Sequence, residues 1–246
     1  MYSCKNCHAA ASGNYCANCG QKINEEKISF SFIWKGLLHF FTHTETGFLY
    51  TTRQLIRKPG PVSINYIDGI RIRYQSPVSY FLIWIMVYIL LLYICSAIFG
   101  ENKAIDFSGY FGEGDKTKLA VSYLNFVLLA LLPFQAVYVW GILMRKQYNF
   151  FESFVVVLYS IGTLILWQCV FVVLAVFIHL LSGAALNIRY SDIFKVVYVS
   201  WFLYDFARHL KIKNKWLRAL LTLILIGITF IVWRLFVYPA VAELFL

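Results

Sequence analysis

The chain has 246 residues, of which 60% are hydrophobic, 19% aromatic and only 14% charged, and its formal net charge is +10. Soluble domains usually contain about a quarter charged residues, so this composition excludes an ordinary soluble domain. The apolar residues are gathered in long blocks, and a bilayer core of about 30 Å accepts such blocks as helices of about 20 residues. We therefore expect an all-α membrane protein.

Three segments follow one another along the chain. Residues 1–24 are polar and cysteine-rich and are predicted to form a zinc ribbon, and residues 25–78 form an amphipathic juxtamembrane segment. Residues 79–246 are predicted to form a transmembrane helix bundle. The first 28 residues lack the apolar core of a cleavable signal peptide, so we expect the membrane helices themselves to direct insertion.

The ribbon segment contains two CxxC pairs. They are Cys4 with Cys7 and, eight residues later, Cys16 with Cys19. Each pair predicts a tight turn whose amides point at the sulfurs, and Gly20 supplies the positive φ that usually follows the second cysteine, a place that His8 takes in the first pair. Disulfides are the alternative, which a reducing cytoplasm disfavours. We predict a structural Zn2+ site, because four cysteine ligands leave no open position for catalytic water.

The juxtamembrane segment is predicted to lie in the membrane interface. Residues 28–41 are rich in aromatic residues and leucine but are too short to cross the bilayer. Residues 47–58, followed by Pro59, Gly60 and Pro61, predict a second helix and a break. Four arginines are candidate contacts for anionic lipid headgroups, with topological anchoring as the alternative. They are Arg53, Arg57, Arg71 and Arg73.

Five apolar blocks predict a five-helix transmembrane bundle. They lie at about residues 79–99, 119–144, 151–181, 193–209 and 216–238. The third block is long enough to be tilted or to project beyond the membrane. The fourth is the least regular, because it is short and holds Lys195, Asp205 and Arg208 near its ends.

The distribution of basic residues orients this bundle. Residues 1–78 hold nine Lys and Arg, residues 144–152 hold two and residues 208–218 hold five. Five spans place all three regions on one side, whereas four spans would make the outer face strongly basic. Since cytoplasmic loops are rich in Lys and Arg, we predict a cytoplasmic N-terminus and an external C-terminus. The charge then implies anionic headgroups as partners and no nucleic acid.

Parts of the chain resemble known families. One set of residues carries the first resemblance: 15–22, 47–49, Thr52, Leu55, Pro59, Gly60, Tyr66, Ile67, Gly69, Arg71, Tyr74 and Pro77. This set resembles an uncharacterised family of bacterial membrane proteins that joins an N-terminal zinc ribbon to a polytopic membrane region. That resemblance implies a ribbon and a location in the bacterial inner membrane, but no activity. Residues 151–154 and the basic turn at 208–215 are weakly similar to five-span Yip1-type proteins, which implies membrane trafficking or organisation by analogy alone.

Side chains with recognisable chemistry are sparse in the membrane region. His39 and His43, four residues apart and close to Glu45, are the candidates for a membrane metalloenzyme, with interfacial packing as the alternative. A candidate intramembrane polar site consists of Asn125, Gln135 and Gln168. Such residues either line a polar cavity or hydrogen-bond across helices.

These patterns predict a noncatalytic protein that acts in membrane organisation or assembly through an unknown protein partner bound by the ribbon, with a homo-oligomer as a further candidate assembly. The rival hypothesis is a small-solute channel or transporter with the ribbon as a regulatory cap, and a weaker one is a metalloenzyme. A continuous water-accessible cavity that reaches Gln135 and Gln168 would favour the channel, and a densely packed bundle interior would exclude it.

Overall fold

A computed structural model of the chain describes residues 2–23, 27–40, 47–99, 105–106, 131–187 and 190–232. The helices are α1 (Phe30–Phe40), α2 (Phe48–Arg57), α3 (Pro59–Ile67), α4 (Pro77–Phe99), α5 (Leu131–Met144), α6 (Phe150–Ser182), α7 (Tyr190–His209) and α8 (Lys215–Val232). The strands are β1 (Tyr2–Ser3), β2 (Ala10–Ala11), β3 (Ile105–Asp106) and β4 (Leu186–Asn187). The strands pair β1 with β2 antiparallel and β3 with β4 parallel.

Three of the described helical segments are long and apolar enough to cross a membrane. They are Pro77–Cys95, Phe150–Ser182 and Lys215–Val232. These segments confirm the membrane class and correspond to the first, third and fifth predicted spans. The second predicted span is described only from residue 131 onward, and α7, the fourth, carries four charged side chains along its 20 residues.

Helices α4 and α6 pack side by side in parallel. The hydroxyl of Tyr80, near the start of α4, lies 3.1 Å from the hydroxyl of Thr163. The Tyr80 ring also covers Gly162, where an added Cβ would lie 2.8 Å from the ring. Because these α6 residues lie several turns after its first residue, α6 begins well before the level at which α4 begins. The length of the third predicted span therefore comes from initial turns that project beyond the start of α4.

Those projecting turns of α6 pack against α3, a short helix buried between α2, α6 and α7. The rings of Tyr66 in α3 and Tyr159 in α6 meet edge to face, with centroids 5.8 Å apart. At the other end of α3, the Gly60 amide donates to Asp205 Oδ2 of α7 over 2.9 Å. A carboxylate in this position satisfies a free helical amide and complements the positive end of the helix dipole.

Gly60 also lets α3 and α7 approach at backbone distance. An added Cβ at Gly60 would lie 2.5 Å from the carbonyl oxygen of Asp205 and 2.9 Å from the Cα of Phe206. No side chain fits in that space. The Pro59–Gly60 pair, which predicted only a helix break, thus has a second role: Pro59 begins α3 and Gly60 permits its contact with α7.

The basic turns predicted to share one side of the membrane lie at the same end of the bundle. The side chain of Asn149, in the α5–α6 turn, donates to the Ile28 carbonyl over 3.1 Å and so joins this turn to the segment before α1. Arg218, at the start of α8, donates to the Ile142 carbonyl near the end of α5 over 2.9 Å. The α3–α7 contact adds the end of α7 to the same assembly.

Candidate zinc ribbon and its docking platform

The two CxxC pairs fold into two similar turns. In each turn an amide closes back on the carbonyl of the first cysteine, from His8 to Cys4 over 2.9 Å and from Gly20 to Cys16 over 2.8 Å. His8 and Gly20 both have positive φ, 61° and 73° respectively. Glycine adopts this conformation freely, whereas a residue with a Cβ pays about 1 kcal/mol. The first turn therefore has the backbone conformation of the second, despite its histidine.

These turns bring the four cysteine sulfurs together. Cys4 Sγ lies 3.6 Å from Cys19 Sγ, and Cys7 Sγ lies 3.6 Å from Cys16 Sγ. All four sulfurs lie within 4.8 Å of one another, and the cysteines are free thiols. A tetrahedral zinc ion with Zn–S bonds of about 2.3 Å separates its sulfurs by about 3.8 Å. The predicted ligand set is thus assembled in a geometry that can hold a metal ion and fits zinc.

Two asparagines support this cluster, and each forms a hydrogen bond with the second cysteine of the other turn. The pKa of Cys7 is lowered to about 6, mainly by a hydrogen bond with the Ala9 amide and, to a smaller extent, by one with the side chain of Asn18. The pKa of Cys19 is lowered chiefly by the side chain of Asn6. Both effects favour the thiolate that binds metal. Sequence reasoning missed these residues, although both pairs read Cys-x-Asn-Cys.

Gln21 fixes the ribbon to the rest of the protein. Its side chain is only 2% exposed, and its amide group donates to the Gly69 carbonyl over 3.0 Å. Its Oε1 accepts from the amides of Arg71 and Ile72 over 3.2 and 3.1 Å. Gln21 therefore binds three backbone groups of one loop, residues 68–72, which lies between α3 and α4. Gln21 is among the residues that carry the family resemblance, and the sequence alone indicates no role for it.

The first turn of the ribbon makes a second contact with this loop. Lys5 Nζ donates to the Asp68 carbonyl over 2.8 Å. The ribbon and the 68–72 loop border an open cleft of about 670 Å³. Its lining mixes cationic side chains, Lys5, Lys27 and Arg71, with the carboxyl groups of Asp68 and Glu152. This mixture of charges selects no single class of ligand.

We call α2, α3 and residues 68–76 the platform, and its last residues are tied to the membrane helices. The amide of Gln75 donates to the Thr51 hydroxyl of α2 over 2.8 Å, and its carbonyl accepts from the Tyr159 hydroxyl of α6 over 2.6 Å. The Tyr198 hydroxyl of α7 donates to the Leu55 carbonyl over 3.3 Å. These groups are buried, so the contacts fix the platform on α6 and α7.

The four candidate lipid-binding arginines lie in two environments. Arg53, Arg57 and Arg73 are exposed. Arg71 is half-buried, its guanidinium lies 4.5 Å from the centre of the Phe32 ring of α1, and its Nε donates to the Tyr66 carbonyl over 3.2 Å. Arg71 thus links α1 to the platform.

The candidate intramembrane polar residues are only partly described. Gln168 is 7% exposed, and neither atom of its side-chain amide has a hydrogen-bond partner in the described part of the chain. Gln135 is half-buried, and no hydrogen bond joins it to Gln168. Asn125 and His43, together with the side chain of His39, lie outside the described residues.

Comparison with known proteins identifies one similar segment. Residues 45–89 match a family described as "Protein of unknown function (DUF3667)". No curated protein and no solved structure matches the chain. The matched segment contains α2, α3, the 68–72 loop and the first half of α4, and so it coincides with the platform that receives the ribbon. The comparisons give no support for a likeness to Yip1-type proteins.

Proposed function

We propose that the protein is a noncatalytic membrane protein of the bacterial inner membrane that acts in membrane organisation or assembly. In this proposal the ribbon and platform form a cytoplasmic docking module for a protein partner. The observation that carries it is the buried Gln21 side chain, which fixes the ribbon in one orientation on the platform. A ribbon held in this way presents one defined face to a partner, as a docking surface requires.

Tyr15 is the candidate anchor for the partner on the exposed surface of the ribbon. It is 64% exposed and lies in the turn between the two cysteine pairs, where it pairs with Lys22. Exposed tyrosines are frequent anchors of protein interfaces. The test is in-cell photo-crosslinking from position 15, with position 3, which lines the cleft toward the platform, as the matched control. We expect position 15 to capture a specific protein and position 3 to crosslink within the chain. Capture of no specific protein from position 15 would contradict the proposal.

The metal of the module is zinc in a structural role. The set of four sulfurs within 4.8 Å of one another supports this assignment, because a closed Cys4 shell is the usual structural zinc site. Elemental analysis of the purified full-length protein tests it. We expect one zinc ion per chain.

For the membrane topology we propose five spans, with a cytoplasmic N-terminus and an external C-terminus. The outer surface of α7 supports its inclusion as the fourth span, because a continuous stripe of apolar and aromatic residues is exposed along it. The stripe consists of Tyr190, Ile193, Phe194, Val197, Trp201 and Tyr204. The charged residues of α7 do not interrupt this stripe, because they are paired or buried. Lys195 pairs with Asp192 over 3.1 Å, and Asp205 accepts from the Gly60 amide of α3. At 1.5 Å per residue, α7 is about 30 Å long, and its second half, from Tyr198 onward, packs against the platform.

An aromatic stack supports a membrane interface at the end of α7 and the start of α8. The rings of Tyr204 and Trp216 stack with centroids 4.6 Å apart, and Lys215 lies 5.2 Å from the centre of the Trp216 ring. Aromatic residues beside lysines are typical of the headgroup region. Reporter fusions test the topology. After residue 213, a reporter that works only in the cytoplasm should be active, and after residue 185, a reporter that works only outside the membrane should be active. The opposite pattern at either point would contradict five spans.

Helix α2 supplies the contact with anionic lipid headgroups in this proposal. Its inner face is buried, while Leu49 and Ile56 are exposed at 79% and 37% beside the exposed Arg53 and Arg57. Apolar side chains next to arginines fit a helix in the interface, whose cations reach the phosphates. In the wild type, added phosphatidylglycerol should raise the thermal unfolding midpoint more than added phosphatidylcholine does. The Arg53→Gln, Arg57→Gln double variant should lose this difference. The matched control, Arg145→Gln with Lys146→Gln, should retain it.

One observation favours a second candidate function, a small-solute channel or transporter with the ribbon as its regulatory cap. Gln168 buries both polar atoms of its amide without a partner among the described residues, and such groups are often hydrated or bind a ligand. Solute flux into vesicles that contain the protein, abolished by Gln168→Leu, would support it. A metalloenzyme has no supporting geometry in the described part of the chain.

A further inference from the structure

The second cysteine turn determines where Gln21 lies. Gln21 comes two residues after the ligand Cys19, and its carbonyl accepts from the Cys16 amide over 2.8 Å. The intervening Gly20 has a φ of 73°. Small ribbons of this kind have almost no apolar core and depend on metal to fold. The position of the Gln21 side chain therefore depends on the integrity of the metal site.

The Gln21 side chain in turn completes the hydrogen bonding of the 68–72 loop. This loop contributes one carbonyl and two amides to the contact, from Gly69, Arg71 and Ile72. Ile72 also touches the turn directly, since a Cβ added at Gly20 would lie 3.3 Å from Ile72 Cδ1. Backbone groups that lose such a partner must bind water instead. Withdrawal of Gln21 therefore favours opening of the loop.

The 68–72 loop connects to elements on both sides. The Arg71 guanidinium of this loop lies 4.5 Å from the centre of the Phe32 ring in α1 and 5.4 Å from the centre of the Tyr66 ring in α3. In the chain direction it leads to Gln75, which bonds α2 and α6, and then to α4. A change in the loop is thus positioned to alter the docking of α1 and the start of the first membrane helix.

We propose that the ribbon is a zinc-operated latch. With zinc bound, Gln21 holds the 68–72 loop closed on the platform. When zinc is lost, Gln21 leaves, the loop opens, and the Arg71 contact with α1 is released. This inference rests on the proposed structural zinc site and adds to it a specific mechanical output at the entrance of the first membrane helix.

Hydrogen exchange measured by mass spectrometry on the full-length protein in lipid nanodiscs tests the latch. In the zinc-loaded wild type, the amides of Arg71 and Ile72 should be protected, and chelation should raise their exchange about tenfold, as loss of a hydrogen bond of about 1.4 kcal/mol allows. Gln21→Met keeps the side-chain length but removes both hydrogen-bonding groups. This variant should show the same increase in exchange at the amides of Arg71 and Ile72 while zinc remains bound.

The matched control is Gln147→Met, which changes an exposed glutamine in the α5–α6 turn and should leave the loop protected. Zinc content is measured on every sample, so the two ideas fail separately. Absence of zinc from the wild type would overturn the zinc site itself. A zinc-loaded Gln21→Met protein with wild-type exchange, or a stripped wild type with a protected loop, would overturn the latch.

Discussion

The platform and the long helices are held by different kinds of contact. At the platform, side chains satisfy backbone groups of distant segments, as Asp205 does for Gly60 and Tyr159 for Gln75. The outer surfaces of α4, α6 and α8 present exposed apolar side chains. A long helix satisfies its own backbone, whereas short helices and loops near a membrane need partners elsewhere in the protein. Specific sequence is therefore needed at the platform, and the family match at residues 45–89 falls there.

The largest effect should come from breaking the ribbon itself. Cys16→Ser removes one of the four clustered sulfurs, and because zinc binding supplies on the order of 10 kcal/mol to such ribbons, the metal and the local fold should both be lost. Zinc content and protease cleavage within residues 1–24 measure this. Cys169→Ser, which changes a buried cysteine of α6, should keep the metal. Full zinc retention by Cys16→Ser would show that the cluster is not the metal site.

Gly60→Ala should separate α3 from α7. The added Cβ would lie 2.5 Å from the Asp205 carbonyl oxygen, so the helices must move apart, and the Asp205 cap is lost as well. We expect a loss of about 3 kcal/mol in stability, measured as a lower thermal unfolding midpoint in detergent. Gly227→Ala in α8 is the control, because nothing lies within 4 Å of its Cβ position. Equal midpoints for the two variants would mean that the α3–α7 contact is not close.

Thr51→Val should weaken the junction between α2 and the start of α4. The variant keeps the shape of the side chain but removes the oxygen that accepts from the Gln75 amide over 2.8 Å. A buried amide without a partner costs about 1–3 kcal/mol. Thr51→Ser retains the hydroxyl and should lose much less stability in the same unfolding experiment. If both variants unfold alike, packing of the methyl group rather than the hydrogen bond holds this junction.

Features that depend on local pattern could be predicted from the sequence. Apolar runs identified α4, α6 and α8, because each is long enough to cross the bilayer. The CxxC spacing identified all four sulfurs of the cluster, because each pair forms a turn of its own. The excess of Lys and Arg in residues 1–78, 144–152 and 208–218 also predicted that these three regions lie on one side. In each case the information lies within a few residues of the feature.

Contacts between distant segments left no such pattern. Asp205 and Gly60 are separated by 145 positions. From the sequence alone, a carboxylate near a helix end is equally consistent with a charge at the membrane interface. Gln21 is one polar residue among many in its segment, and its burial depends on a loop about 50 positions away. The sequence does not distinguish tilt from projection of α6 for the same reason, since the projection depends on α3, which packs beside the first turns of α6.

The smallest effect should come from Val173 on the outer face of α6, and its neighbour Val172 on the inner face offers a matched comparison. Val172 is 2% exposed and Val173 is 57% exposed. Val172→Leu adds a methylene to a packed interior and should cost about 1–3 kcal/mol, whereas Val173→Leu should change stability by less than about 0.5 kcal/mol, because lipid accepts either side chain. The same unfolding assay compares them. A cost at Val173 equal to that at Val172 would show that another protein surface covers this face, and a second copy of the chain would then be the partner to test by crosslinking.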